Sequence, residues 1–368
     1  MKLRWSPQQE QALKAVRAWL KDPDQQVFRL FGYAGTGKTT LCREIEHMVR
    51  GDVHYMAFTG KAALVLRTKG CAGAATIHSS IYSINEDESE EDAPKWIVNE
   101  NAIVADKRLL IVDEVSMVNE ELARDLMSFG VKILVLGDPA QLPPVQGEGW
   151  FINAEPDFML TEVHRQAKDN PIIRMSMTVR EGGWLNFGTY GQSKVIARQD
   201  VTPSDILGCE QVLVGKNKTR ADMNHWLRKK HGFPEDSLPM RGDRLVCTRN
   251  DREMRLLNGS MWTVKGSNPA DEDLIRLYVQ SEDQPKRKPV LVTVPNLYFR
   301  GDGTDIPFEL RKGRQEFTWG YALTVHKSQG SQWQSVLIRD ESRFFGEHRR
   351  KHLYTALTRA SHRVVVVR

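Results

Sequence analysis

Val27-Phe28-Arg29-Leu30-Phe31-Gly32-Tyr33-Ala34-Gly35-Thr36-Gly37-Lys38-Thr39-Thr40-Leu41 reads as a short apolar strand, a glycine-rich turn and the opening of a helix. From Gly32 to Thr39 it fits G-x-x-x-x-G-K-[ST], in the strand-to-helix setting that pattern needs. Glycines let backbone N–H groups wrap phosphate oxygens, and the helix N-terminus adds positive potential. The cradle is expected to run through Gly32, Ala34, Gly35, Thr36, Gly37, Lys38, Thr39 and Thr40. Lys38 is placed to reach the β- and γ-phosphates of ATP, and the Thr39 hydroxyl to ligate Mg²⁺.

Further short apolar runs repeat the arrangement outward from this point. His54–Phe58, Leu109–Val112 and Ile133–Leu136 each end at polar, Gly or Pro residues, and Leu41 to Val49 carries helical spacing. Buried parallel strands with a functional loop at each carboxyl end have this texture. One of them closes on Asp113-Glu114. Behind a phosphate loop, Asp113 is expected to hold the metal and Glu114 to polarise the attacking water.

With 368 residues the chain exceeds one ordinary core, which points to two domains with insertions. No apolar run reaches membrane-spanning length, no secretory h-region is visible, and a cytoplasmic setting follows. The four cysteines are scattered without a Cys-x-x-Cys pair, which argues against a zinc site or disulfide framework. The net charge of +5 hides an asymmetry. Residues 1–160 carry 17 basic and 23 acidic side chains, the remainder 35 and 24. A basic second half suits a polyanionic partner.

Asn85 to Lys95 is an acidic stretch, read as the tip of a small insertion near 79–105. A second α/β pattern starts near Leu160, with a strand at Gln211–Val214 and a helix at Arg220–Lys230. From about Pro239 to Arg314 turn signals (Arg241-Gly242-Asp243, Asn258-Gly259, Asp302-Gly303) separate short β-rich runs at Leu245–Thr248, Met261–Val264 and Val290–Val294. These read as a small inserted β-barrel. The α/β texture resumes at Phe317 and closes with Arg363–Val367. The expected domains are therefore 1–159, then 160–238 with 316–368, with 239–315 inserted.

A phosphate loop is shared by kinases, GTPases and transporters. Other segments, in chain order, resemble superfamily 1 helicases of the RecD-like and phage Dda-like branch. Ser6-Pro7-Gln8-Gln9 resembles the Q motif, Thr59-Gly60-Lys61-Ala62-Ala63 motif Ia, and Thr76-Ile77-His78-Ser79 motif Ib. Asp113-Glu114-Val115-Ser116-Met117 resembles motif II, and Gly137-Asp138-Pro139-Ala140-Gln141-Leu142-Pro143-Pro144 motif III. Leu160-Thr161-Glu162-Val163-His164-Arg165-Gln166 resembles motif IV. Tyr321-Ala322-Leu323-Thr324-Val325-His326-Lys327-Ser328-Gln329-Gly330 resembles motif V, and Tyr354-Thr355-Ala356-Leu357-Thr358-Arg359-Ala360 motif VI.

The resemblance implies two RecA-like domains with parallel sheets, carrying a small Src-homology-like barrel in the second. It implies that Gln9 reads adenine, that Gln141 senses the γ-phosphate, and that Arg165 and Arg359 stabilise transition-state charge as arginine fingers do. Thr59, Lys61, His78, Thr324, His326 and Lys327 would line a track for single-stranded DNA, contacting phosphates without reading sequence. Trp150, Phe151, Trp319 and Trp333 are candidate stacking rings. The implied activity is ATP-dependent translocation on single-stranded DNA, 5′→3′, with unwinding of forked duplexes by a monomer, perhaps beside replication or recombination proteins. Two other readings fit the same motifs: a non-unwinding, ATP-switched DNA-binding subunit of a larger complex, and an RNA helicase.

Overall fold

The computed structural model describes residues 4–84, 96–144, 149–163, 169–251, 253–300 and 306–368. The chain forms two compact units, Met1–Arg174 and Met175–Arg368. The division falls beyond the 159/160 junction read from the sequence.

The strands of the first unit are β1 (Val27–Gly32), β2 (Val53–Ala57), β3 (Ala75–Thr76), β4 (Tyr82–Ile84), β5 (Trp96–Val98), β6 (Leu109–Asp113), β7 (Lys132–Gly137) and β8 (Phe158–Leu160). Its main sheet has the order β3-β2-β6-β7-β1-β8, with every pairing parallel. Leu160, where the second pattern was expected to start, thus ends an edge strand of the first sheet, in register with Gly32. The helices are α1 (Pro7–Trp19), α2 (Lys38–Met48), α3 (Gly60–Thr68), α4 (Ile77–Ile81) and α5 (Glu120–Met127).

The period of two in a strand divides β1 between two cores. Phe28 and Leu30 meet Ala12 and Val16 of α1, Leu41 and Ile45 of α2, and Ala63 and Leu66 of α3. Val27 and Phe31 meet Ile77 and Ile81 of α4, and Leu122 and Leu126 of α5. Both faces are covered, so the strands read as unbroken apolar runs. Each fully buried side chain of this kind contributes about 1.5–3 kcal/mol.

The second unit carries β9 (Gly188–Tyr190), β10 (Ser193–Ile196), β11 (Gln211–Val214), β12 (Arg244–Cys247), β13 (Met261–Pro269), β14 (Leu274–Ser281), β15 (Val290–Pro295), β16 (Phe317–Trp319), β17 (Ala322–Thr324), β18 (Trp333–Arg339) and β19 (Ala360–Val367). One sheet has the order β17-β11-β18-β19-β10-β9, parallel except for the edge strand β9. The other is a five-stranded antiparallel sheet, β15-β14-β13-β12-β16. Phe317–Trp319, read from sequence as the return to α/β, pairs instead with β12. Helices in this unit include α6 (Pro171–Arg180, begun in the first unit), α7 (Pro203–Leu207), α8 (Asn217–Lys230), α9 (Phe308–Arg311) and α10 (Arg349–Leu357).

Within the second unit the two sheets are fastened by buried polar contacts. Asp243, fully buried at the entry to β12, accepts from Arg228 Nε and Nη2 of α8 at 2.8 and 2.9 Å. It also accepts from the Tyr321 hydroxyl and the Met240 N–H, both at 2.8 Å. The Arg228 guanidinium lies over the Trp319 ring at 4.0 Å. Asn224 of α8 donates to Ala322 O and accepts from Ala322 N, at 3.0 and 2.9 Å.

Candidate functional site

The phosphate loop is held from two sides. Gly35 and Gly37 have φ of 81° and 83°, left-handed values that favour glycine. A Cβ on Gly32 would lie 2.7 Å from both Leu160 Cβ and Thr36 Oγ1, so the loop packs directly on β8. Lys38 Nζ donates to the carbonyls of Gly32 and Tyr33, inside the loop. Thr39 Oγ1 lies 3.5 Å from Asp113 Oδ2, at the carboxyl end of β6. Burial, followed by the neighbouring Glu114, raises the Asp113 carboxyl to about 6, against the opposing pull of Lys38. A cation between Thr39 and Asp113 would favour its ionised form. Glu114 itself has φ 56°, an uncommon backbone for a non-glycine residue, costing about 1 kcal/mol. Gln141 is buried after β7, and its Oε1 has no hydrogen-bond partner. An unsatisfied buried carbonyl is a place where a ligand or ordered water completes the bonding. These residues fit a magnesium nucleotide.

Gln9 does more than the sequence suggested. Ser6-Pro7-Gln8-Gln9 closes a capping box on α1, with Ser6 Oγ accepting from Gln9 N at 3.3 Å and Ser6 N donating to Gln9 Oε1 at 3.1 Å. Gln9 Nε2 donates to Thr36 O in the phosphate loop at 3.1 Å, and the side chain is buried. Gln8 grips the exit of β8. Its Oε1 accepts from Thr161 N and Glu162 N at 2.9 and 2.8 Å, and its Nε2 donates to Thr161 Oγ1 at 3.0 Å.

Of the two expected arginines, Arg165 lies outside the described residues, as do His164 and the acidic tip at 85–95. Arg359 is buried in the second unit, donating to Thr355 O, Ser331 O and Thr358 Oγ1 at 3.1, 3.3 and 3.2 Å.

The expected DNA-contact residues divide. Thr59 caps α3 by accepting from Ala62 N, and Lys61 is buried rather than presented as a surface cation. Thr324 is buried and accepts from Lys327 N at 3.3 Å, while Lys327 is exposed. His326 is half-buried beside Phe345 and His352, which burial and His348 hold toward its neutral form. His78 lies between Phe58 and Tyr82, with ring centroids 5.9 and 5.7 Å apart, and burial lowers its basicity. Tyr82 continues to the exposed Trp96 across the β4–β5 pair, and its hydroxyl donates to Asp125 of α5 at 2.5 Å. Sequence reading missed Tyr82 and Trp96; Tyr82, four residues after His78 on one helical face, was the available signal. Of the proposed stacking rings, Phe151, Trp319 and Trp333 are buried in packing, and Trp150 is exposed. Among the described residues no helix is long and apolar enough to cross a membrane, and no three metal-binding side chains of the His, Cys, Asp or Glu type cluster.

Comparison with known proteins bears on these motifs together. Residues 5–200 match the family described as an AAA domain, and residues 320–367 match the UvrD-like helicase C-terminal domain. The ATP-dependent RecD2 DNA helicase of Deinococcus radiodurans is 29% identical over 91% of this chain. The chain belongs to the RecD-like branch of the superfamily 1 helicases. It spans 46% of the length of that RecD2 relative. The Pif1 helicase of Bdellovibrio bacteriovorus is 25% identical, over 89% of this chain and 80% of its own. Solved Pif1 helicases share the fold of this RecD-like chain. A Bacteroides Pif1 bound to ADP-AlF3 and single-stranded DNA superposes with a TM-score of 0.57 at 18% identity, over 99% of this chain and 92% of that one. Candida albicans Pif1 gives 0.56 at 19%, over 99% and 94%.

Proposed function

We propose that this RecD-like chain is an ATP-hydrolysing DNA helicase that translocates 5′→3′ on single-stranded DNA and separates forked duplexes. It is read as a monomer working in the cytoplasm of a bacterial or phage-infected cell. Its two units are read as RecA-like domains, and the five-stranded sheet as a small Src-homology-like barrel. The Gln315 N–H donating to Thr293 O at 3.1 Å, which draws the chain before β16 toward β15, supports closure of that sheet.

The observation that carries the reading is the convergence of Lys38, Thr39, Asp113 and the unpartnered Gln141 carbonyl at the strand ends of a two-sided parallel sheet. Thr39 and Asp113 would hold Mg²⁺, which supplies charge neutralisation at the β- and γ-phosphates. Lys38 turns from its loop carbonyls to the phosphate oxygens. Glu114 accepts the proton of the attacking water as the new P–O bond forms and the bond to the β-phosphate oxygen breaks. Gln141 orients that water through its amide. Arg359 offers a guanidinium to the transferring group, with Arg165 as its expected companion. The anchored pair β4–β5, presenting Trp96, supports strand separation over a non-unwinding role.

The test is hydrolysis with and without single-stranded DNA, then unwinding of duplexes carrying a 5′ or a 3′ tail. Lys38→Ala should abolish hydrolysis, and Glu114→Gln should lower it by about 10²–10⁴-fold while nucleotide still binds. Turnover surviving both changes overturns the assignment, and unwinding from a 3′ tail alone overturns the polarity. Stimulation by RNA equal to that by DNA would favour the RNA reading.

A further inference from the structure

The second parallel sheet ends along one edge in a row of cations and exposed rings that none of the motifs includes. In the order β17-β11-β18-β19, the carboxyl ends lead to Lys327, Lys216, Arg343-Phe344 and Arg368. Phe344 is 51% exposed, with the Lys216 ammonium 3.1 Å and the Arg343 guanidinium 4.7 Å from its ring centre. Trp184 is 59% exposed, with Arg349 and Arg368 at 4.3 and 5.2 Å. It borders a pocket of about 310 Å³ that Arg350 also lines.

The row is rigidly mounted. Glu341 accepts from Gly215 N, Lys216 N and Thr219 Oγ1 at 2.8, 3.0 and 2.7 Å, joining the loop after β11 to the segment after β18. Phe345 turns inward and stacks on His352 at 4.0 Å, while its neighbour Phe344 turns outward. Of the nearby acids, Glu341 is spent on those contacts and Asp340 pairs with Arg368 at 3.4 Å; Glu347 alone of these is exposed.

We infer that this edge is a single-stranded nucleic-acid track that prolongs the motif V contacts, with Phe344 and Trp184 as successive base-stacking platforms. The inference rests on the DNA-motor reading above. Alternating cations and rings suit a strand gripped without regard to sequence, since every base has a π-face and every link a phosphate. Large aromatic side chains left in water are costly to keep exposed unless something covers them. Three strand spacings of about 4.8 Å separate β17 from β19, roughly 14 Å. At 3.4 Å per stacked nucleotide that distance accommodates about four nucleotides.

The test uses the whole chain and fluorescently labelled oligothymidylates of increasing length. Wild-type affinity should climb with length until the edge is covered. Phe344→Ala and Trp184→Ala should bind the shortest stimulating oligomer like wild type and lose about tenfold on longer ones. Phe344→Trp should keep the gain with length, which separates stacking from mere loss of fold. Lys216→Ala should flatten the log–log salt dependence by about 0.7 for each phosphate contact removed. If the wild type is DNA-stimulated and these variants match it at every length and salt, the prolonged track is wrong and the motor reading stands. A wild type that neither binds the oligomers nor is stimulated by them sinks both.

Discussion

Replacing Asp243 by alanine deletes the acceptor at the centre of the polar knot in the second unit. The Arg228 side chain, only 4% exposed, would keep its bonds to Ser237 O and Oγ at 3.0 Å but lose its counter-ion. Removing one partner of a buried pair costs about 3–5 kcal/mol, because a charge is left without compensation. The Tyr321 hydroxyl and Met240 N–H lose an acceptor as well, but these losses overlap with the first and are not added to it. At about 3 °C per kcal/mol for a unit of this size, the melting transition should fall by roughly 12 °C. The double change Arg228→Met with Asp243→Leu removes both charges and should lie within about 2 kcal/mol of wild type. Calorimetry of the whole chain reads this out, with ATP added to identify the transition of the nucleotide-bearing unit, which should not move. A shift under 3 °C for Asp243→Ala, or a double variant as weak as the single, would show that the knot is not a stabilising ion pair.

Burial, then His326, depresses His352 from 6.5 to about 4 against the opposite pull of Asp340 and Glu341. The unfolded chain then binds the extra proton between these values, so stability is intact above pH 6.5 and declines by about 3 kcal/mol as pH falls to 4. Denaturant midpoints for His352→Phe should show a shallower acid limb; an unchanged limb would rule this group out as its source. Glu114 offers a separation of stability from chemistry. Glu114→Gly should stay within about 0.5 kcal/mol of wild type, and Glu114→Val should destabilise by about 1–2 kcal/mol, since a branched side chain tolerates the left-handed backbone poorly. Both should be inactive, and equal melting of the two would contradict the backbone argument.

The parts legible in the sequence share one physical trait, a local pattern with a single structural solution. Val27–Phe31, Leu109–Val112 and Ile133–Leu136 are buried on both faces and therefore appear as apolar runs, which the strands extend by only a residue or so. Residues whose setting depends on distant partners were not legible. Leu274–Ser281 gave no strand signal, yet it is a central strand of the antiparallel sheet, because its pairing with β13 and β15 is set by chain far from it. Phe317–Trp319 was assigned to the wrong sheet for the same reason. Within the site, Lys38, Thr39 and Asp113 follow from motif and context. That Lys61 is buried, that Arg359 is held by its own unit, and that Glu114 takes a left-handed backbone depend on neighbours that spacing does not reveal. Exposed rings such as Phe344 and Trp184 belong to no periodic pattern at all.

The two glutamines at the start of α1 stand one peptide bond apart and hold different loops, Gln9 through the Thr36 carbonyl and Gln8 through the amides of Thr161 and Glu162. A displacement of either loop must therefore be shared with the other or break a bond on this turn of helix. The opening turn of α1 acts as a yoke, and the stretch leading toward Arg165 cannot ignore what happens to the backbone that cradles the phosphates.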